Sequence, residues 1–409
     1  MENEWKSYSL GEICSYSKER INIQDVTNKN YISTENMFPD KGGITEAATL
    51  PNVKSVSRYE KGDTLISNIR PYFKKIWFSN KIGGASNDVL VIKGKSEKVF
   101  NKYLYYFLTQ DKFFDYVMGT SKGTKMPRGD KDAILKYDIK LPPLDEQKAI
   151  AKVLSDLDEK IGVNNKINKK LEEMAQAIFK QWFIDFEFPN EDGKPYKSSG
   201  GEMVESELGM IPKYWGVDLL SNLVKEVITG KTPSTKKSEN YGDKYPFVTI
   251  PDMHNKVFVT KTERYLSEDG HKLQEKKLIP KNSIMVSCIA TVGLVSISSE
   301  AVHTNQQINS IIPNSIEEVF YFYEYLKLME DRLKGIGSSG SATLNVNKGE
   351  FEKIKYIYPD SRIINKYNNT VKNIYEKIKL NEIENNRLAQ LRDTLLPKLM
   401  SGEIRVPID

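Results

Sequence analysis

The chain has 409 residues, 39% hydrophobic and 28% charged, with a formal net charge of +5 and 2 cysteines. That length suggests two or three domains with sizeable cores. No apolar run approaches a membrane span and Met1-Glu2-Asn3-Glu4 is unlike a signal peptide, so a soluble, cytoplasmic protein is expected. Cys14 and Cys288 alone argue against a disulfide framework or a cysteine-based metal site, and the mild positive charge fits a nucleic-acid binder without requiring one.

From the N-terminus to about residue 143, short β-like runs alternate with turn signals. Thr64–Ser67 and Asp88–Ile92 read as strands with Gly83-Gly84 as a turn between them, and Lys102–Val117 reads as one helix rich in Tyr and Phe. Pro142-Pro143 closes this domain. A long helix follows over 144–184, with Asp145 as its N-cap. Apolar residues recur at Ile150, Leu154, Leu157, Ile161, Leu171, Ala175, Ile178 and Trp182, the spacing of a coiled-coil seam. Asn164 and Asn168 fill its middle positions. Residues 185–212 form a linker, with the polar stretch Pro189–Gly201 at its centre. A second domain spans 213–359 and a second helix 360–402, capped by Asp360 or Ser361 and ended by Gly402. Its seam runs through Tyr367, Val371, Ile374, Ile378, Leu388, Leu395 and Leu399, with Asn381 and Asn385 in the middle. Pro397 predicts a kink or an early end there, and 403–409 is a tail.

The second half repeats the first. Glu159-Lys160-Ile161 recurs as Glu376-Lys377-Ile378, and the same offset of 217 residues pairs Gly123 with Gly340, Pro142 with Pro359, Asn164 with Asn381 and Asn168 with Asn385. With small shifts, Trp5 and Leu10 answer to Trp215 and Leu220, and Ser86-Asn87 to Thr304-Asn305. A period this long marks a duplicated domain plus helix rather than a solenoid. Seam asparagines need polar partners. Antiparallel packing of the two helices would bring their midpoints together, so that Asn164 and Asn168 meet Asn381 and Asn385 and set the register; the alternative is two separate amphipathic helices with partly solvated asparagines.

A search for catalytic chemistry finds little. Gly230-Lys231-Thr232 resembles the end of a phosphate-binding loop, but Lys225 stands where its earlier glycine belongs, and a turn made by Gly230 and Pro233 is the better reading. Asp252, Glu275 and Lys277 match the permissive carboxylate-carboxylate-lysine pattern of metal-dependent nucleases, the alternative function for this chain. Glu275 sits in a charge run and the first repeat has no such site. His254, His271 and His303 lack zinc spacing. What remains are polar and basic loops that suit phosphates and base edges. In the first repeat these carry Asn68, Arg70, Lys74, Lys75, Lys122, Lys125 and Arg128, interleaved with Tyr72 and Phe73. In the second they carry Lys231, Thr232, Lys236, Lys237, Ser338, Ser339, Ser341 and Lys348.

Leu141-Pro142-Pro143-Leu144-Asp145-Glu146-Gln147, Leu157-Asp158-Glu159-Lys160-Ile161, Gln181-Trp182-Phe183 and Gly230-Lys231-Thr232-Pro233-Ser234 together resemble the DNA-specificity subunit of type I restriction-modification systems. The first repeat departs from the last motif, with Ser15-Tyr16-Ser17-Lys18-Glu19 in its place. The resemblance implies an α+β fold: two α/β target-recognition domains related by a pseudo-two-fold and separated by two long antiparallel coiled-coil helices. It implies that each domain reads half of a bipartite duplex DNA target, that the coil sets the spacer, and that two modification (methyltransferase) subunits dock on it. Restriction subunits, ATP-dependent translocases and nucleases, are further partners. S-adenosylmethionine and ATP belong to those partners, and no cofactor, metal or catalytic residue is expected in this chain.

Overall fold

The computed structural model describes residues 5–95, 97–338 and 343–407. The chain divides into two compact units, one made of everything up to Glu159 together with Leu388 onward, the other of Lys160–Arg387.

In the first unit, β1 (Lys6–Ser9) turns directly into the one-turn helix α1 (Leu10–Ile13). The Glu12 carboxylate makes that turn by accepting from the Ser9 backbone N–H at 2.6 Å and its hydroxyl at 2.8 Å. Then come β2 (Cys14–Tyr16), β3 (Arg20–Asn22), β4 (Tyr31–Ile32), β5 (Ser55–Tyr59), β6 (Thr64–Ser67), β7 (Ile76–Phe78), β8 (Gly83–Ala85) and β9 (Val89–Gly94). They form two four-stranded sheets, ordered β2-β9-β6-β7 and β3-β5-β8-β4. The Thr64–Ser67 run is a strand as expected, antiparallel to β9 with Leu65 opposite Val91. Gly83-Gly84 is not a turn. Both lie inside β8, where a Cβ on Gly83 would stand 2.1 Å from the Asn30 carbonyl oxygen. Glycine is there so that backbones can approach.

The helix expected over Lys102–Val117 is two, α2 (Asn101–Leu108) and α3 (Asp111–Gly119). The Thr109 hydroxyl, at the break, donates back to the Tyr106 carbonyl at 2.6 Å. Breaking the helix lets Phe113 and Phe114 join Tyr103, Leu104 and Phe107 in one core. Asp130 caps α4 (Lys131–Leu135), which leads into β10 (Asp138–Leu141), antiparallel to β1. Next is α5 (Leu144–Phe179), continued by a π-helical turn at Lys180–Ile184. Asp145 does not cap it but lies in its first turn, where a carboxylate suits the helix dipole.

The second unit adds a hairpin of β11 (Met203–Ser206) and β12 (Gly209–Pro212). The Pro189–Gly201 stretch before it is largely exposed, as a linker or exposed loop would be, and is anchored through Tyr196. Phe188 stacks on Tyr196 at 4.6 Å between centroids and on Trp215 at 5.0 Å, and Phe186 and Ile211 are buried beside them. Of these, only Tyr196 belongs to the polar stretch; the others flank it and fix its two ends.

The rest of this unit repeats the first in outline. It contains β13 (Gly216–Leu219), α6 (Leu220–Leu223), β14 (Glu226–Thr229), β15 (Tyr241–Val248), α7 (Ile250–Met253), β16 (Phe258–Val259), β17 (Arg264–Leu266) and α8 (Glu268–Lys272). There follow β18 (Ile284–Ile289), β19 (Thr291–Ser298), β20 (His303–Thr304), β21 (Ile308–Ile312), α9 (Val319–Leu328), α10 (Glu330–Gly337), α11 (Lys348–Glu352) and β22 (Lys355–Tyr358). Its sheets are ordered β14-β21-β18-β19-β16 and β17-β15-β20. The pairs β1/β10 and β13/β22, each followed by a long helix, are the structural form of the sequence repeat.

That last helix is α12 (Ser361–Ser401). The Asp360 carboxylate caps it by accepting from the Arg362 N–H at 2.7 Å, and Gly402, at φ +78°, ends it. Pro397 does not end it early. The missing bond lies in the last turns, where Leu396, Leu399 and Met400 are packed into the first unit's core. There too, Arg392 on α12 grips Asp158 on α5 at 2.6 Å, and Tyr106 donates to the same carboxylate at 2.7 Å.

Within the second unit the buried seam asparagines find one another. The Asn164 side-chain amide donates to Asn385 Oδ1 at 2.9 Å and to Glu384 at 2.8 Å. Asn385 in turn donates to Asn165 Oδ1 at 2.8 Å, and Asn381 donates to Asn168 Oδ1 at 2.7 Å. The lower-numbered asparagine of α5 meets the higher-numbered one of α12, so the helices run antiparallel. Glu382, beside this layer, takes the Val257 and Phe258 N–H groups at 3.0 and 2.9 Å, so α12 holds the start of β16. Burial pushes the Glu382 carboxyl up to about 7, although Lys256 and the two N–H donors pull it back.

Asn381→Leu leaves the Asn168 carbonyl oxygen buried without a donor and should cost about 1–3 kcal/mol. Asn168→Leu/Asn381→Leu together should cost less than the sum of the two single changes. Urea unfolding of all four proteins measures the difference, and strict additivity would mean that the two amides do not couple.

Candidate nucleic-acid interface

In the first unit, the chain leaving β6 makes a compact loop braced by backbone bonds. The Asn68 N–H donates to Asp88 and the Arg70 N–H to Pro127, both at 2.8 Å, and Gly129 donates to Asn68 at 3.0 Å. Lys122 and Arg128 exchange backbone bonds of 2.9 Å each, and the Lys75 ammonium reaches the Thr34 carbonyl at 2.6 Å. Arg70, Lys74, Lys75, Lys122 and Arg128 are therefore brought together on one cluster of loops. Lys125 is exposed at the tip of the 122–128 turn.

Asn68 does not present itself as expected. Its side chain is 7% exposed, and its Oδ1 has no partner. It lies against Gly129, where an added Cβ would stand 2.7 Å from Oδ1. Several of the cations are also already engaged. Lys74 and Lys41 share Asp111 at 3.0 and 3.2 Å, Arg128 holds Asp88 at 2.9 Å, and Lys122 holds Asp130 at 2.6 Å. Reading the sequence missed these acids, because each is distant along the chain from the cation it neutralises or belongs to a turn with another role.

In the second unit, the loop after β14 is pressed against the chain after β20. The Lys231 N–H donates to the Thr304 carbonyl at 3.0 Å, and Gly230 is needed there because a Cβ would lie 2.2 Å from Thr304 Oγ1. The Thr232 hydroxyl bonds Gln306, a neighbour the sequence did not suggest. Lys231, Lys236 and Lys237 are exposed. Ser338 ends α10, its hydroxyl donating to Gly335 at 2.8 Å, and Lys348 pairs with Glu352 at 3.4 Å. Ser339 and Ser341 lie outside the described residues. The Val346 carbonyl accepts from Asn309, which also receives the Thr229 hydroxyl. That chain of bonds ties the end of β14 to the segment before α11.

The two clusters share one frame. Residue Ala290, at φ +63°, stands where Arg70 stands at φ +49°. The Ala290 N–H donates to Leu344 at 2.9 Å as that of Arg70 does to Pro127, and Val346 donates to Cys288 as Gly129 does to Asn68.

The nuclease alternative finds no site. Both Asp252 oxygens are taken by turn-forming donors, Thr249 N–H and hydroxyl at 2.8 Å each and Glu263 N–H at 2.8 Å. Glu275 and Lys277 lie on a single 3₁₀ turn. Among the described residues no group of three or more His, Cys, Asp or Glu side chains is placed to hold a metal. His303 is fully buried, 2.9 Å from His271, and burial followed by the His271 charge lowers it to about 4. It is a core residue, whereas His254 is exposed.

Residues 2–173 and 213–391 match the type I restriction modification DNA specificity domain. The chain belongs to that family. Over 98% of its length it is 34% identical to the whole of the type I restriction enzyme HindI specificity subunit of Haemophilus influenzae. The MjaIX specificity subunit of Methanocaldococcus jannaschii is 28% identical over 98% of this chain and 93% of its own. The fold is similar to that of the S subunit of a type I restriction-modification system from M. genitalium, with a TM-score of 0.56 at 15% identity over 97% of this chain and 96% of that one. The protein is a type I restriction-modification specificity subunit, a DNA-recognition subunit. Among its described residues no helix is long and apolar enough to cross a membrane.

Because Asp111 neutralises two lysines of the first loop cluster, Asp111→Asn should release both for phosphate. DNA affinity of the assembled complex should rise, and the plot of log K against log salt should steepen by one to two phosphate contacts. Band shifts across a salt series measure this; an unchanged slope would place Lys41 and Lys74 away from the DNA.

Proposed function

We propose that this specificity subunit reads a bipartite duplex target, one half through residues 1–143 and the other through 213–359. The helical regions 144–184 and 360–402 set the spacer between the halves and dock two modification subunits. Those partners carry S-adenosylmethionine and methylate adenine; restriction subunits using ATP join the same assembly. The chain itself is non-catalytic, and its work on DNA places it in the cytoplasm.

One observation carries the reading: two loop clusters share a backbone frame and differ in the side chains they hold. Arg70 is matched by Ala290, and Arg128, bridged to Ile69, by Asn345, bridged to Ile289. Two unlike half-sites require that combination, since base contacts set sequence and the frame sets spacing. Arg70 and Arg128 suit guanine edges or phosphates, and Lys231, Lys236 and Lys237 suit phosphates. The carboxylates beside Lys74, Lys122 and Arg128 hold down the affinity of the isolated chain.

Replacing residues 1–143 with the matching domain of a relative should change one half of the target and leave the other half and the spacer intact. Sequencing the methylated sites made by the chimera in complex with its modification partners reads this directly. Simultaneous change of both halves would contradict separate readers.

A further inference from the structure

The loop after β6 carries more than charge. Between Arg70 at φ +49° and Lys74 at φ +50°, a single 3₁₀ turn, Pro71–Phe73, lifts two aromatic rings into solvent. Tyr72 is 47% and Phe73 38% exposed, and their centroids are 4.6 Å apart. Two left-handed non-glycine residues are strained, and such strain is found where a local shape has a use. The turn is also braced. Pro71 is buried, the Asp40 and Lys41 N–H groups donate to the carbonyls of Phe73 and Lys74 at 2.8 and 3.0 Å, and the Lys75 ammonium lies 5.7 Å from the Phe73 ring centre. The bracing loops add Phe38, 46% exposed, and Met126, 50% exposed. An apolar patch on top of a basic loop cluster has no packing role within the unit.

In the second unit the matching turn goes from Ala290 straight into β19 at Thr291. The frame is kept, and the aromatic turn is an addition to the first unit alone.

We propose that Tyr72, buttressed by Phe73, is a wedge that stacks on a base step of the first half-site, so that this half is read partly through how easily its DNA unstacks, and the second half is not. The inference rests on the first unit being a DNA reader. The flanking, exposed Arg70 would hold a neighbouring phosphate, and an aromatic face needs no hydrogen-bond code to grip a base. Tyr72 is then a positioning and specificity residue with no part in methyl transfer.

The test uses the subunit assembled with its modification partners and a duplex carrying the target mapped from genomic methylation. Single 2-aminopurine substitutions are placed at each position of both half-sites except the methylated bases. The wild-type complex should brighten the probe at one step of the first half and at none of the second. Tyr72→Ala should abolish that signal and weaken target binding about tenfold or more, with an unchanged salt slope because no charge is lost. Tyr72→Phe should preserve both signal and affinity, which separates stacking from misfolding. If Tyr72→Ala binds and brightens like wild type, the wedge is wrong while the recognition reading stands. Intact DNA affinity with lost assembly of the modification subunits would make the patch a protein contact and overturn the proposal. A wild-type complex without sequence-specific binding would remove both readings.

Discussion

Buried amides between two long helices leave little freedom in how those helices meet. An apolar seam repeats every seven residues, and a slip by one heptad would still bury leucine against leucine. Asn164 against Asn385 and Asn168 against Asn381 forbid that slip in the second unit, because a displaced amide would be buried without a partner. The consequence reaches the recognition domain through Glu382, next to this layer, whose carboxylate holds the backbone at Val257 and Phe258. A one-heptad slip would carry Glu382 about 10 Å along the axis and break that grip. Helix register and domain position are thus one constraint, and spacing between half-sites is the quantity it would govern.

On that frame the two recognition units diverge in a restricted way. Each keeps a left-handed residue at the same turn and the same backbone bonds across to the segment before its final short helix. Differences gather in what the turn carries: an aromatic, cationic loop in the first unit and a tight hairpin in the second. Intramolecular ion pairs with Asp111, Asp88 and Asp130 temper the cations, which on the proposed reading would bind phosphate fully only once those partners are given up.

The repeat, the seam and its asparagines were legible because periodicity and capping are local, and Asp360 and Gly402 bound α12 where the sequence places them. Other features depend on neighbours far along the chain. Gly83 reads as a turn until Asn30 is seen against it, and nothing in the polar run 189–201 announces that Phe188 and Trp215 stack at its two ends. Asn68 reads as a base contact until Gly129 covers it, and α2 and α3 read as one helix until Phe113 and Phe114 are required in the core. For the loops, the sequence said nothing of the carboxylates that hold Lys74, Lys122 and Arg128.

Hydroxyl-radical footprinting of the complete complex on its mapped target tests the central claim most directly. Separate readers whose spacing is set by a register-fixed helix pair, as proposed, predict two protected segments flanking an accessible spacer of constant length on every target sequence. A single continuous protected segment, or a spacer that varies from site to site, would contradict the account.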